Sequence, residues 1–114
     1  MTHETHFDKI ADCPVMTTVG VIGGKWKPRI LWHLRQGPAR FGELHRALGA
    51  SERMLARSLQ ELEAARLITR RVIPVGGVTT TEYTYSEYGR SLVPVLDAMG
   101  QWGIGHRERR DGSS

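Results

Sequence analysis

The 114-residue sequence has only one cysteine and no long apolar run, and each shortage excludes a class of protein. The single Cys13 cannot form a disulfide within the chain, which fits a reducing compartment. A membrane-spanning helix needs about 18 consecutive apolar residues, whereas the longest candidate, Val19 to Ile22, ends at the Gly23-Gly24 pair. Polar Glu4 and Asp8 near the start, with no apolar segment behind them, argue against a signal peptide. We therefore expect a cytoplasmic protein without membrane contact.

The residue patterns of catalytic and metal sites are missing as well. The histidines show no metal-ligand spacing, and we find no paired carboxylates, no Ser-His-Asp order and no Gly-rich phosphate-binding loop. A small thiol enzyme built on Cys13 would have neither a resolving cysteine nor an identifiable base. We therefore expect no metal, no cofactor and no enzymatic activity.

Positive charge is concentrated in the middle of the chain. Between Lys25 and Arg71 there are eleven basic and four acidic residues, which gives this segment a net charge of +7. The rest of the chain has five basic and eight acidic residues, a net charge of −3. Such a basic segment indicates a polyanion as partner. A solvated basic surface without any partner is the alternative.

The same segment contains two short amphipathic helices joined by a tight turn, between Arg40 and Leu67. The leucines that recur at helical spacing predict one buried side for each helix; they are Leu44 and Leu48 in the first, and Leu55, Leu59 and Leu62 in the second. The outward positions Arg53, Arg57 and Gln60 follow an i, i+4, i+7 spacing. Arginine can form hydrogen bonds with guanine, and glutamine with adenine. Two helices of which the second presents these residue types are typical of a DNA-reading helix-turn-helix.

Further DNA contacts are predicted around these helices. Ser51 and Glu52 begin the second helix, where Ser51 is a good N-cap and free backbone N–H groups can also meet a phosphate. The capping box is absent because Met54 is neither Glu nor Gln. Phosphate contacts are predicted for Arg40, Lys25, Lys27, Arg70 and Arg71, of which strand alternation leaves only one of the last two on the DNA side. The alternatives are solvation for the lysines and pairing with Glu61 or Glu63 for Arg57 and Gln60.

The rest of the chain supplies the remaining elements of a winged helix. Residues 1–12 predict a flexible tail, Cys13-Pro14 opens a first helix, and Lys27 to Gln36 form a second, with Trp26 and Trp32 expected in the core. Ala39 to Phe41 are expected to pair as a short strand. Alternating residues from Ile68 to Tyr85 around a turn at residues 74–77 predict a β-hairpin. A last helix capped by Ser86 precedes a charged flexible tail, residues 105–114.

These segments together resemble the HxlR family of bacterial transcriptional regulators, winged-helix proteins related to MarR. The resemblance is carried by CPV at Cys13, GGKWK at Gly23, RFGEL…RML…LQELE from Arg40 and EYTYSEYGRSLVPVLDAM…W from Glu82. It implies an α+β, mainly α fold with a two-stranded wing and N- and C-terminal dimerisation helices, here residues 13–104. It also implies a homodimer that binds an inverted-repeat operator, and that some members sense electrophiles or oxidants through a cysteine matched by Cys13.

The chain departs from the family pattern at two places. The turn between the paired helices reads LGAS, one residue shorter than is common. The wing tip, Val75 to Val78, has no Arg or Lys, so insertion of a wing arginine into the minor groove is not expected.

Surplus apolar residues on the first and last helices predict the dimer interface. These are Val15, Val19, Leu92, Leu96, Met99 and Trp102. Cys13 lies beside them at a helix N-terminus, where the helix dipole and free N–H groups favour a thiolate. The alternative for Cys13 is an inert cap or a small buried apolar residue. A winged-helix module that binds proteins instead of DNA is the alternative function, although such modules generally lose the basic residues kept here at Arg53 and Arg57.

Overall fold

The computed structural model describes residues 13–112 and shows five α-helices and one three-stranded antiparallel sheet in that part of the chain. In chain order the elements are α1 (Pro14–Ile22), α2 (Lys27–Leu34), β1 (Ala39–Arg40), α3 (Phe41–Leu48), α4 (Glu52–Ala64), β2 (Ile68–Val75), β3 (Val78–Tyr85), a 3₁₀ turn (Gly89–Leu92) and α5 (Val93–Arg110). This order confirms the predicted winged helix-turn-helix. The expected N-terminal tail, residues 1–12, lies outside the described residues. None of the helices found in 13–112 is long and apolar enough to cross a membrane.

The core is organised around α2, whose side chains Ile30, Leu31 and Leu34 are at most 2% exposed. The other helices and the sheet also contribute apolar side chains to this core. These are Ile22 from α1, Leu44 from α3, Leu55, Leu59 and Leu62 from α4, Tyr83 and Tyr85 from β3, and Leu96 from α5. The leucine spacing in α3 and α4 therefore predicted their buried sides correctly, except that Leu48 is only half-buried.

The wing is the hairpin of β2 and β3, with the predicted span of Ile68 to Tyr85. The strands pair up to Val75 and Val78, and Gly76 and Gly77 form the turn with φ values of 56° and 81°. Two consecutive positive φ angles match the twist of a two-residue hairpin and favour glycine at both positions. The turn is thus tighter than the predicted 74–77 cluster. On its other side β3 pairs with β1, which ends at Arg40 because Phe41 begins α3.

A buried hydrogen bond joins the sheet to α2. The phenol of Tyr85 donates to the backbone carbonyl oxygen of Leu31 at 2.5 Å. Because burial disfavours the charged phenolate, it raises the pKa of Tyr85 to about 12. The bond therefore holds the base of the wing against the central helix.

The structure corrects both ends of the last helix. Ser86 lies before the 3₁₀ turn and does not cap α5; its Oγ accepts from the N–H of Gly89, the first residue of that turn, at 2.8 Å and donates to the carbonyl of Arg66 at 2.7 Å. At the other end α5 continues to Arg110, so residues 105–110, expected in a flexible tail, are helical. Arginines in this last turn interact favourably with the partial negative charge of a helix C-terminus, which opposes fraying.

Two apolar residues lie elsewhere than expected. Trp32 is 41% exposed rather than in the core, because its ring lies between the Arg35 guanidinium, 3.5 Å from the ring centre, and α5 at Gly100. Leu96, expected at the dimer interface, is 3% exposed and packs in the core of its own chain, so it offers no surface to a partner. Trp26 is partly buried against the core, as expected.

The Tyr85–Leu31 bond predicts the effect of Tyr85→Phe. The substitution leaves the Leu31 carbonyl unpaired and should lower the free energy of unfolding by about 1–3 kcal/mol at neutral pH. Because the pKa of Tyr85 is higher in the folded chain than the ordinary value of about 10, wild-type stability should also fall as the pH rises from about 10 through about 12. Tyr85→Phe has no phenol at this position, so its stability should not show the fall that ionisation of Tyr85 causes between about pH 10 and 12.

Urea unfolding at neutral pH and at a series of alkaline pH values measures both effects. Tyr88→Phe is the matched control, because Tyr88 is 66% exposed. Equal losses in the two variants would contradict a special role for Tyr85.

Candidate nucleic-acid interface

The helix α4 begins with a side-chain cap. The Oγ of Ser51 accepts from the N–H of Met54 at 3.1 Å, and Met54 is the third helical residue, as a simple N-cap requires. The predicted capping role of Ser51 is therefore confirmed. The turn before it closes at Gly49, whose φ of 76° is the left-handed conformation that favours glycine, and Ala50 is buried. This short turn places the N-terminus of α4 in a fixed position on α3.

The outer side of α4 presents the predicted reading residues to solvent. Arg53, Arg57 and Gln60 are all exposed, and their i, i+4, i+7 spacing places them on one side of the helix. The opposite side is closed by the buried leucines and by Ser58, which is 6% exposed. Glu52 is exposed in the first turn, where a carboxylate interacts favourably with the helix dipole.

A glutamate of the same helix binds two of the predicted DNA-contacting cations. The carboxylate of Glu61 lies 3.1 Å from Nζ of Lys27 on α2 and 3.4 Å from Nε of Arg57 one turn earlier on α4. The hydrogen bond and charge of Lys27, with a smaller contribution from Arg57, lower the pKa of Glu61, so the group stays ionised at neutral pH. This cluster lines a cleft of about 260 Å³ between α4 and the segment Gly23–Lys27.

The wing carries two more ion pairs. Nε of Arg70 on β2 lies 3.6 Å from Oε2 of Glu63, which links the wing to α4. A guanidinium nitrogen of Arg71 lies 2.9 Å from Oε1 of Glu82, and Glu82 also pairs in register with Arg40 on β1. In the hairpin register Arg70 is opposite Tyr83 and Arg71 is opposite Glu82, and the expectation that only one of the two arginines is on the DNA side stays a prediction.

The remaining predicted phosphate contacts are less constrained. Lys25 and Arg40 are exposed, and the Lys25 ammonium lies 5.0 Å from the centre of the Trp26 ring. Arg29 lies 5.1 Å from the same ring. Trp26 thus supports two cations at the start of α2, a cation–π arrangement that sequence reasoning missed. The spacing of Trp26 and Arg29 within one helical turn was the available signal.

A second surface, formed by α1 and α5, is apolar. Val15 is 66%, Val19 46%, Met99 51% and Trp102 70% exposed, and Leu92 is half-buried. Two apolar hollows of about 410 Å³ each adjoin this surface and share Pro28 and Met99 in their walls. Cys13 lies at its edge as the half-buried N-cap residue of α1, with a free thiol and no side-chain capping bond.

Comparison with known proteins gives consistent matches along most of the chain. A family model described as HxlR-like helix-turn-helix matches residues 21–111. An uncharacterized HTH-type transcriptional regulator of Methanothermobacter thermautotrophicus is 44% identical over 92 residues, which cover 80% of this chain and 70% of that protein. The uncharacterized HTH-type transcriptional regulator YdeP of Bacillus subtilis is 40% identical over 108 residues, covering 91% and 81%.

Solved structures agree with the fold. The redox regulator HypR in its reduced form is similar with a TM-score of 0.80 and 37% identity, covering 87% of this chain and 98% of that one.

Proposed function

Because the chain belongs to the HxlR-like helix-turn-helix family of transcriptional regulators, we propose that it binds a specific inverted-repeat sequence in double-stranded DNA as a homodimer. It is a regulator with a helix-turn-helix fold and not an enzyme. The observation that carries the proposal is the exposed set Arg53, Arg57 and Gln60 on a capped helix within the basic segment.

The chemistry of this set fits the edges of base pairs. Arginine donates two hydrogen bonds to guanine O6 and N7, and glutamine pairs with adenine N6 and N7 in the major groove. The N-terminal half of a recognition helix enters that groove, and Arg53 and Arg57 lie in the first half of α4. Phosphate contacts from Lys25 and Arg40 would then position the helix without reading sequence.

The apolar surface of α1 and α5 supports the homodimer. Val15, Val19, Met99 and Trp102 form a larger exposed apolar area than scattered surface residues require, and such patches mark interaction sites. Two subunits related by a twofold axis would present two recognition helices one helical turn of DNA apart, roughly 34 Å. A dimer therefore reads a longer and more specific sequence than one α4 can.

Arg53→Ala tests the reading role of α4. The variant should bind a duplex from the upstream region of its own gene about 5- to 150-fold more weakly, since one bidentate base contact is lost. Fluorescence anisotropy against salt concentration measures the affinity, and wild-type binding should weaken linearly on a log–log plot.

Arg90→Ala is the charge-matched control, because Arg90 is exposed on the 3₁₀ turn and is not among the predicted DNA-contacting residues. Equal weakening in both variants would show that only net charge matters. Wild-type binding that is absent or independent of salt would favour a protein-binding module instead.

We further infer that Cys13 senses electrophiles or oxidants. Support comes from its free, half-buried thiol at the N-terminus of α1, from its position at the edge of the apolar surface, and from the likeness to a redox regulator. A thiolate there can add to a quinone ring, or it can form a disulfide with a second thiol while an oxidant takes up the two electrons. With one cysteine per chain, that second thiol belongs to the other subunit or to a small thiol.

Cys13→Ser should therefore separate sensing from DNA binding. Untreated, the variant should bind the upstream duplex as wild type does, because the two side chains are similar in size. After treatment with benzoquinone or diamide, wild type should lose affinity while the variant keeps it, and mass spectrometry should locate the adduct or disulfide at Cys13. Full loss of affinity in the treated variant would refute the sensing role.

A further inference from the structure

Most of the cations predicted to contact DNA are already bound by carboxylates in the free protein. Four of them lie within 4 Å of a glutamate: Lys27 and Arg57 at Glu61, Arg70 at Glu63, and Arg71 at Glu82. These three glutamates, which we call the carboxylate set, come from α4 and β3. Arg53 belongs to no such pair among residues 13–112, although it lies on the same helix.

We propose that the carboxylate set competes with DNA for these cations, and that Glu61, by holding Arg57, lowers affinity for arbitrary sequences more than affinity for the operator. The proposal rests on the proposed function and names residues that determine its specificity. Glu61 is the principal member because it holds two cations at once, one from α2 and one from α4.

Arbitrary DNA and an operator offer different partners to Arg57. A phosphate on arbitrary DNA gives Arg57 one anionic partner in exchange for another, and the released carboxylate then lies beside the negatively charged backbone. The exchange of Glu61 for a phosphate therefore gains little binding free energy. Arg57 stays with Glu61, and its phosphate contact is not made. An operator offers base edges in addition, and a bidentate base contact is worth about 5- to 150-fold in affinity. Only the operator therefore draws Arg57 away from Glu61.

The geometry permits this exchange. The side chains of Glu61 and Arg57 are 45% and 71% exposed, so the pair can open without disturbing the core. Exposed ion pairs of this kind contribute little to stability. Lys27 is less exposed, at 19%, and keeps the carboxylate of Glu61 directed toward the cleft beside α4. Glu61 therefore lies where its carboxylate can hold Arg57 on the exposed side of α4.

Glu61→Gln tests the proposal, with Glu87→Gln as the matched control. Glu87 is exposed, follows the wing, and belongs to none of the ion pairs found among residues 13–112, so its substitution changes the net charge equally. Each full-length protein is titrated with two labelled 30-base-pair duplexes over a range of salt concentrations. One duplex has random sequence, and the other is selected from a random library by the wild-type protein.

Glu61→Gln should bind the random duplex at least about fivefold more tightly than wild type near physiological salt, with a log–log salt slope steeper by about 1 for each cation freed. Its affinity for the selected duplex should rise less, so the ratio of the two affinities falls. Glu61→Ala also removes the carboxylate, so it should shift the same ratio in the same direction and provides a second test if Glu61→Gln folds poorly.

The outcomes distinguish this proposal from the function on which it rests. If Glu61→Gln and Glu87→Gln change both affinities alike, the carboxylates act only through net charge and the proposal is overturned. The same holds if the affinity ratio stays at its wild-type value. If wild type itself binds neither duplex in a salt-dependent way, the proposed DNA-binding function fails instead.

Discussion

The short helix α2 is the element on which the other parts of the fold depend. Its inward side chains are almost fully excluded from water, and α3, α4 and the sheet all pack against it. Polar contacts add direction to this packing: Leu31 accepts from Tyr85, Lys27 binds Glu61, and Arg35 lies 3.3 Å from Asp97 on α5. The positions of α4, the wing and the C-terminal helix therefore all depend on contacts with this eight-residue helix and with Arg35, the residue that follows it.

Local patterns in the sequence predicted the elements that local chemistry determines. Leucine spacing identified α3 and α4, Ser51 marked the start of α4, and Gly76-Gly77 marked the wing turn. Contacts between distant segments were harder to predict. The burial of Leu96 depends on how α5 lies across the core, and no periodicity distinguishes an interface position from a core position on a helix with apolar residues on several sides.

In the candidate site, too, contacts between neighbouring residues were predictable from the sequence, whereas contacts between distant segments were not. Arg57 and Glu61 are four residues apart on one helix, so their pairing was foreseen as an alternative to groove contact. Lys27 and Glu61 are 34 positions apart in the sequence, and only the packing of α2 on α4 brings them together. Several cations of the basic segment are consequently paired with carboxylates, which its composition alone does not indicate. The proposed base contacts and the glutamate proposed to restrain them lie on the same helix, α4, while the apolar surface of α1 and α5 and the thiol of Cys13 lie elsewhere.

The central claim is that two copies of α4 read an inverted repeat together. A hydroxyl-radical footprint of the purified protein on the region upstream of its own gene tests this most directly. We predict two protected patches of equal strength, related by a twofold axis and separated by one helical turn, about 10–10.5 base pairs. A single unpaired patch would contradict the dimeric reading of DNA, and uniform or absent protection at saturating protein would contradict sequence-specific binding itself.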